Sequence, residues 1–115
     1  SSELEVIFNN LLENAVKYSD EPVHVRVAAQ SIPDGRVKVE IADRGIGIPR
    51  PELRRIFQRF YRASWDVRRH VSGLGLGLFV VRSLVRRQGG RVVALSEGAG
   101  RGSRFVVTLR PAPRV

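Results

Sequence analysis

The stretch NNLLENAVKYS at residues 9–19 decides how this chain is read. Its apolar residues continue a helical spacing that runs through Leu4, Ile7, Phe8, Leu11, Leu12 and Ala15. Ser2 followed by Glu5 makes a capping box, so a helix is expected from near Glu3 to near Ser19, ahead of Asp20 and Pro22. On it Asn10, Asn14 and Lys17 stand at i, i+4 and i+7 and share one face. Phe8, Leu12 and Ala15 fall to the opposite, core-facing side. Two amides and a lysine on one stripe can offer carbonyl oxygens to a cation and donors to phosphates. Such a stripe is equally an ordinary solvated face, and the Glu13–Lys17 pair on it is worth little.

Two glycine clusters follow, DRGIGIP at 43–49 and GLGLGL at 73–78. Asp43 ends a strand, where a carboxylate can accept a hydrogen bond from an exocyclic amine. Gly45 and Gly47 let a ligand approach the backbone, although a plain Asp-x-Gly turn has the same pattern. Gly73, Gly75 and Gly77 open a helix, and helix-start amides attract phosphate; a hinge there is compatible with the same use. The run is neither a Rossmann fingerprint, lacking the βαβ setting and the spacing, nor a Walker loop, lacking a following Gly-Lys-Ser/Thr.

Outward from these clusters the elements fall into order. Val23, Val25 and Val27 alternate as a strand containing His24, Pro33-Asp34-Gly35 turns the chain, and Val37, Val39 and Ile41 return it to Asp43. Pro51 to Phe60 reads as a short helix, and Arg62 to Ser72 as a mobile loop. A second long helix runs from Leu78 to about Gln88 and ends at the pair Gly89-Gly90. Arg91 to Ser96 and Arg104 to Leu109 are strands joined by the turn Gly98 to Gly102, and a frayed tail follows Arg110. The order implies an α/β sandwich, with about three helices on one face of a mixed, mostly antiparallel sheet.

Composition sets the outer bounds. The 115 residues make a single domain, 1–115, with room for one core. The absence of cysteine excludes disulfides and thiolate metal sites. No apolar run is long enough to span a membrane, and no signal peptide is visible. The net charge of +9, from 20 Lys+Arg against 11 Asp+Glu, is carried mostly by arginine. It invites a nucleic-acid reading, but no stretch interleaves that charge with stacking aromatics. No nucleic-acid partner is expected.

Taken together, the motifs resemble the catalytic ATP-binding domain of bacterial sensor histidine kinases, a branch of the Bergerat-fold superfamily shared with gyrase and Hsp90. Asn10 to Ser19 is similar to the N box, Asp43 to Pro49 to the first G box, and IFQRFYR at 56–62 to the F box. Gly73 to Gly77 is similar to the second G box, and Gly102-Ser103-Arg104-Phe105 to the final strand motif. The resemblance spans Leu4 to Leu109.

It implies ATP and Mg²⁺ as ligands. Asn14 would hold Mg²⁺ through its side-chain oxygen, Asn10 and Lys17 would reach phosphates, and Tyr18 would stack near the adenine. Asp43 would accept from the adenine amino group, with Ser103 helping. Gly45, Gly47 and Ile48 would shape the nucleotide pocket. Tyr61 and Arg62 would act from a lid, Arg62 on the terminal phosphate, and Gly73, Gly75, Leu76 and Gly77 would let that lid close. Asn10 and Arg62 are the residues assigned to catalysis.

In the gyrase and Hsp90 branches, the residue four before the metal-binding Asn is a glutamate that activates water. Asn10 stands there in this chain, and an amide cannot act as a general base. Transfer to an external acceptor is therefore expected over hydrolysis.

In the family that acceptor is a histidine on a separate dimeric helical hairpin, with a response regulator acting downstream. Neither His24 nor His70 has the helical, acid-flanked setting of such a histidine. The chain is expected to be a cytoplasmic fragment of a membrane-bound parent sensor, monomeric when isolated. Ser72, Leu74 and Gln88 depart from common family residues. No edge strand is expected ahead of the first helix in these residues, although one often precedes it in the family, and an open sheet edge would follow. An anti-sigma-type serine kinase on the same fold and a nucleotide-binding module without transferase activity are the rival readings; the F box favours the histidine kinase over the former.

Overall fold

The structure is a computed structural model that describes residues 2–19, 22–59, 61, 77–98 and 100–110. Helix α1 (Ser2–Tyr18) leads into the hairpin β1 (Val25–Ser31) and β2 (Val37–Asp43). Two 3₁₀ turns follow, Arg50–Glu52 and Arg55–Phe57. Helix α2 (Gly77–Arg87) and the hairpin β3 (Arg91–Leu95) and β4 (Ser103–Leu109) complete the order. The strands form one sheet in the order β1-β2-β4-β3, and all its pairings are antiparallel.

Among the described residues two α-helices cover one face of the sheet. Ile7, Leu11 and Ala15 of α1 and Val81 and Val85 of α2 are buried against Ile41, Phe105 and Val107 of the central strands. Alternation along each strand produces this: Val92 and Ala94 point inward from β3, while Arg91, Val93 and Leu95 fall on the other face. The phase of α1 is one residue away from the expected one. Leu11 is fully buried, whereas Leu12 is 36% exposed and Phe8 half-buried. Burial follows the Ile7, Leu11, Ala15 row because α1 crosses β2 on that row.

Three local expectations are corrected. Ser2 is already helical, so it does not stand outside the helix as a cap. Val23 and His24 precede β1, which runs on to Ser31 instead. Among the described residues the segment after Pro49 forms two separate 3₁₀ turns and no α-helix: the N–H groups of Leu53 and Gln58 return only three residues, to Arg50 and Arg55. The end of α2 is as expected, with Gly90 N–H bonded to the Val85 carbonyl at 2.9 Å. The loop 62–72 lies outside the described residues.

Candidate functional site

The site is built where the end of α1, the loop after β2 and the start of β4 are stitched together. The Tyr18 carbonyl accepts the Ile46 N–H at 3.1 Å, and Ser19 forms an antiparallel bridge with Gly45. The loop is then tied to the 96–102 turn. Gly100 N–H bonds the Ile46 carbonyl at 2.7 Å, and Gly102 N–H bonds the Gly45 carbonyl at 3.0 Å. Ser96 is the knot of this layer. Its Oγ accepts from Ile48 N–H at 3.0 Å and Gly98 N–H at 3.2 Å, and donates to the Gly102 carbonyl at 2.7 Å.

Asp43 lies at the centre of this arrangement. It is 8% exposed, and the β2–β4 register sets it directly opposite Ser103, whose Oγ donates to Oδ2 at 2.7 Å. A buried carboxylate is costly unless donors meet it, and Ser103 meets one oxygen and fixes the rotamer. The other oxygen, Oδ1, faces Gly45: a Cβ there would lie 2.7 Å from it and 2.0 Å from the Tyr18 carbonyl. Only glycine leaves that space. Gly47 has φ +74°, and a Cβ on it would strike the Gly98 carbonyl at 2.0 Å. Both glycines are thus required by close backbone approach as well as by any ligand. Ile48 is buried beside them.

The second end of the site is the meeting of α1 with the first residue of α2. Asn10 Oδ1 lies 3.3 Å from where a Cβ on Gly77 would stand, and Asn10 Nδ2 donates to the Val6 carbonyl at 2.8 Å. Asn14 follows one turn later and is half-buried; Lys17 is exposed, its Nζ 5.8 Å from the centroid of the Tyr18 ring. Asn10 thus meets Gly77 where the two helices touch, and the end of the same helix, at Tyr18 and Ser19, is tied to the Asp43 layer. Arg62, Gly73, Gly75 and Leu76 lie outside the described residues.

The segment leading toward 62 is anchored in the core. Phe57 packs edge-on against Phe105, with ring centroids 6.1 Å apart, and Arg82 of α2 stands 5.9 Å from its centroid. Tyr61 is half-buried against the same core, and its hydroxyl donates to the Glu52 carboxylate. Reading the sequence did not single out Ser96 or Glu52. Ser96 carries a faint signal as a serine at a strand end before a glycine turn; Glu52 carries none, since its partner is nine residues away.

Among the described residues no cluster of three His, Asp or Glu side chains could cage a metal. A magnesium ion needs no such cage when substrate phosphates supply most of its ligands. One amide oxygen, as at Asn14, fits that mode.

A helix-covered antiparallel sheet, with a buried carboxylate in a glycine-laced layer beside two helix-borne amides, defines an ATPase-type α/β sandwich. The chain belongs to the family of histidine kinase-, DNA gyrase B- and HSP90-like ATPases, whose model matches residues 1–113. It is 41% identical over 105 residues to the sensor histidine kinase AruS of Pseudomonas aeruginosa, covering 89% of this chain and 10% of that protein. It is 34% identical over 104 residues to the sensor histidine kinase WalK of Bacillus subtilis, covering 90% and 17%. Among solved structures, the mycobacterial sensor histidine kinase MprB superposes with a TM-score of 0.83 at 32% identity, over 96% of this chain and 73% of that one. Full-length ShkA, solved in complex with AMPPNP, gives 0.82 at 34%, over 98% and 22%. The chain is thus a catalytic domain of the histidine-kinase type. It spans between a tenth and a quarter of the length of the curated relatives it matches. Among the described residues no helix is long and apolar enough to cross a membrane.

Proposed function

We propose that this domain binds Mg-ATP in the cytoplasm and delivers the γ-phosphoryl group to a histidine on a separate helical hairpin of its parent kinase. The observation that carries the reading is Asp43, buried, held by Ser103 and facing Gly45, in a layer tied to the end of the helix that bears Asn10 and Asn14. Asp43 accepts from the adenine amino group, and Ser103 keeps its carboxylate in the accepting rotamer. Tyr18 stacks near the base. Asn10 and Lys17 donate to phosphate oxygens, and Asn14 offers one oxygen to the metal. Bound Mg²⁺ neutralises phosphate charge as the transfer proceeds. Tyr61, Arg62, Gly73, Gly75, Leu76 and Gly77 belong to the lid side of the pocket, with Arg62 on the terminal phosphate.

The acceptor imidazole nitrogen forms a bond to the γ-phosphorus as the bond to the β–γ bridging oxygen breaks, and ADP leaves. Asn10 cannot deprotonate water, so the domain's own contribution is positioning and electrostatics. The test is a thermal melt with and without Mg-ATP, paired with labelled phosphoryl transfer to the parent's helical hairpin. A ligand at a hundredfold excess over its dissociation constant adds about 2.7 kcal/mol of stability. That upward shift is expected in the native chain and lost in Asp43→Ala, while Asn14→Ala loses transfer. Transfer that persists in both variants overturns the reading.

A further inference from the structure

We infer that the sheet face opposite the helices carries a second binding surface, a basic groove for an acidic, extended segment of a protein partner. The groove, about 420 Å³, crosses the sheet at the end where β2 and β4 carry Asp43 and Ser103. Asp43 and Ser103 face the helices; their neighbours Ala42 and Arg104 point to the other side, in register with Arg26 on β1 and Leu95 on β3. The groove therefore opens at the end of the sheet, with Arg26, Ala42, Arg104 and Leu95 on the face away from the helices, while Val25, Asp43 and Ser103 border it from the helix side.

Four arginines line it, Arg26, Arg44, Arg101 and Arg104, together with His24. All five are exposed. The carboxylates lining it are the buried Asp43 and one exposed side chain, Glu97. Outside the groove, Arg36 pairs with Asp34 at 2.5 Å and Arg87 with Glu3 at 3.6 Å. Arg104 is held by Glu40 at 2.9 Å. Among the described residues no carboxylate pairs with Arg26, Arg44 or Arg101. Three unneutralised guanidiniums converging on one concavity repel each other and suit bidentate carboxylate recognition.

Shape selects the occupant. The groove reaches across four strands, three spacings of about 4.8 Å or roughly 14 Å. That is the length of about four extended residues. A compact anion would meet only part of the arginine row, and a flat membrane surface does not follow a concavity. Among the described residues no aromatic side chain lines the groove to stack a base. Leu95, 38% exposed at the β3 end, offers an apolar contact beside the charges. An acidic segment with one apolar residue complements both features.

The test is anisotropy of a fluorescein-labelled Glu-Glu-Leu-Glu-Glu peptide titrated with the whole chain. Three competitors run beside it: inorganic pyrophosphate, a short single-stranded DNA and phosphatidylserine vesicles. Saturable binding is expected, weakened at least tenfold in Arg26→Glu/Arg101→Glu. It should change less than about twofold in Arg50→Glu/Arg86→Glu, which alters net charge equally at exposed sites outside the groove. The Mg-ATP melting shift reports that each variant is folded. Should the reversed pair not fold, Arg26→Gln/Arg101→Gln makes the same comparison, with a loss of about threefold expected. Peptide-induced amide shifts at Ala42, Arg44 and Arg104, with none at Asn10 or Asn14, support the assignment. Absent binding, equal losses in both charge-reversed pairs, or tighter arginine-dependent binding of any competitor overturns it.

Discussion

Asp43 and Gly45 act as one unit, because the carboxylate oxygen that Ser103 does not hold faces the vacant Cβ position of Gly45. Substitutions at the three positions should therefore separate. Ser103→Ala removes one hydrogen bond and is expected to cost about 1 kcal/mol of stability, and to weaken ATP about fivefold by freeing the Asp43 rotamer. Isothermal titration beside a urea melt reads both. Gly45→Ala drives a methyl into the Tyr18 carbonyl, which is backbone and cannot swing aside. A loss of more than about 3 kcal/mol is expected, seen as a lowered urea midpoint without nucleotide present. At this scale the local arrangement was legible: an Asp entering a glycine loop is a local pattern, and the structure buries Asp43 beside Gly45. The Ser96 knot was not, because its partners Ile48 and Gly102 are brought to it by the fold.

At the scale of elements, α1 separates what a periodic pattern can and cannot fix. Leu11 and Leu12 both satisfy the helical spacing, yet Leu11 is fully buried and Leu12 is 36% exposed. Leu11→Ala is expected to cost about 2–5 kcal/mol by leaving a cavity, and Leu12→Ala less than about 1 kcal/mol. Chemical denaturation of the two variants distinguishes them, and equal costs would contradict the observed phase of the helix. The existence of α1 was legible because seventeen residues carry the pattern. Its rotation was not, since adjacent leucines lie only about 100° apart and the sheet chooses between them. The turns at 50–57 misled for a related reason: Pro51 does open a turn, but the chain there closes i→i+3 bonds, Leu53 to Arg50 and Gln58 to Arg55. Its continuation as 3₁₀ turns is set by packing of Ile56 and Phe57 into the core.

Those same turns tie the segment leading toward 62 to the core. Glu52 belongs to the first turn, and it accepts the hydroxyl of Tyr61. Tyr61→Phe and Glu52→Gln each weaken that link. Because they act on one contact, a double-mutant cycle is expected to give a coupling of about 0.5–3 kcal/mol in stability. Additive effects would show that the two side chains contribute independently.

The molecule as a whole is a helix-covered sheet with two unequal edges. Among the described residues the helix layer stops short at the β1 edge: β1 stands outside α1, and Val27 is 56% exposed although it points to the helix side, in register with the buried Ile41. Val16 of α1, 53% exposed, and Val23, 49% exposed, are further apolar side chains left uncovered among these elements. An open strand with uncovered valines is a template for pairing. The pairing groups on that edge are backbone, so the sequence could announce the edge only through the order of its elements, whereas the exposure of Val27 follows from where α1 crosses. The isolated domain is therefore expected to be monomeric at micromolar concentration and to associate reversibly as concentration rises. Val27→Lys places a charge on the edge without removing core packing. It is expected to suppress that association in sedimentation velocity while shifting the urea midpoint by no more than about 0.5 kcal/mol of stability. Association that is unchanged by Val27→Lys but abolished by Arg26→Glu/Arg101→Glu would move the contact to the basic groove on the opposite face.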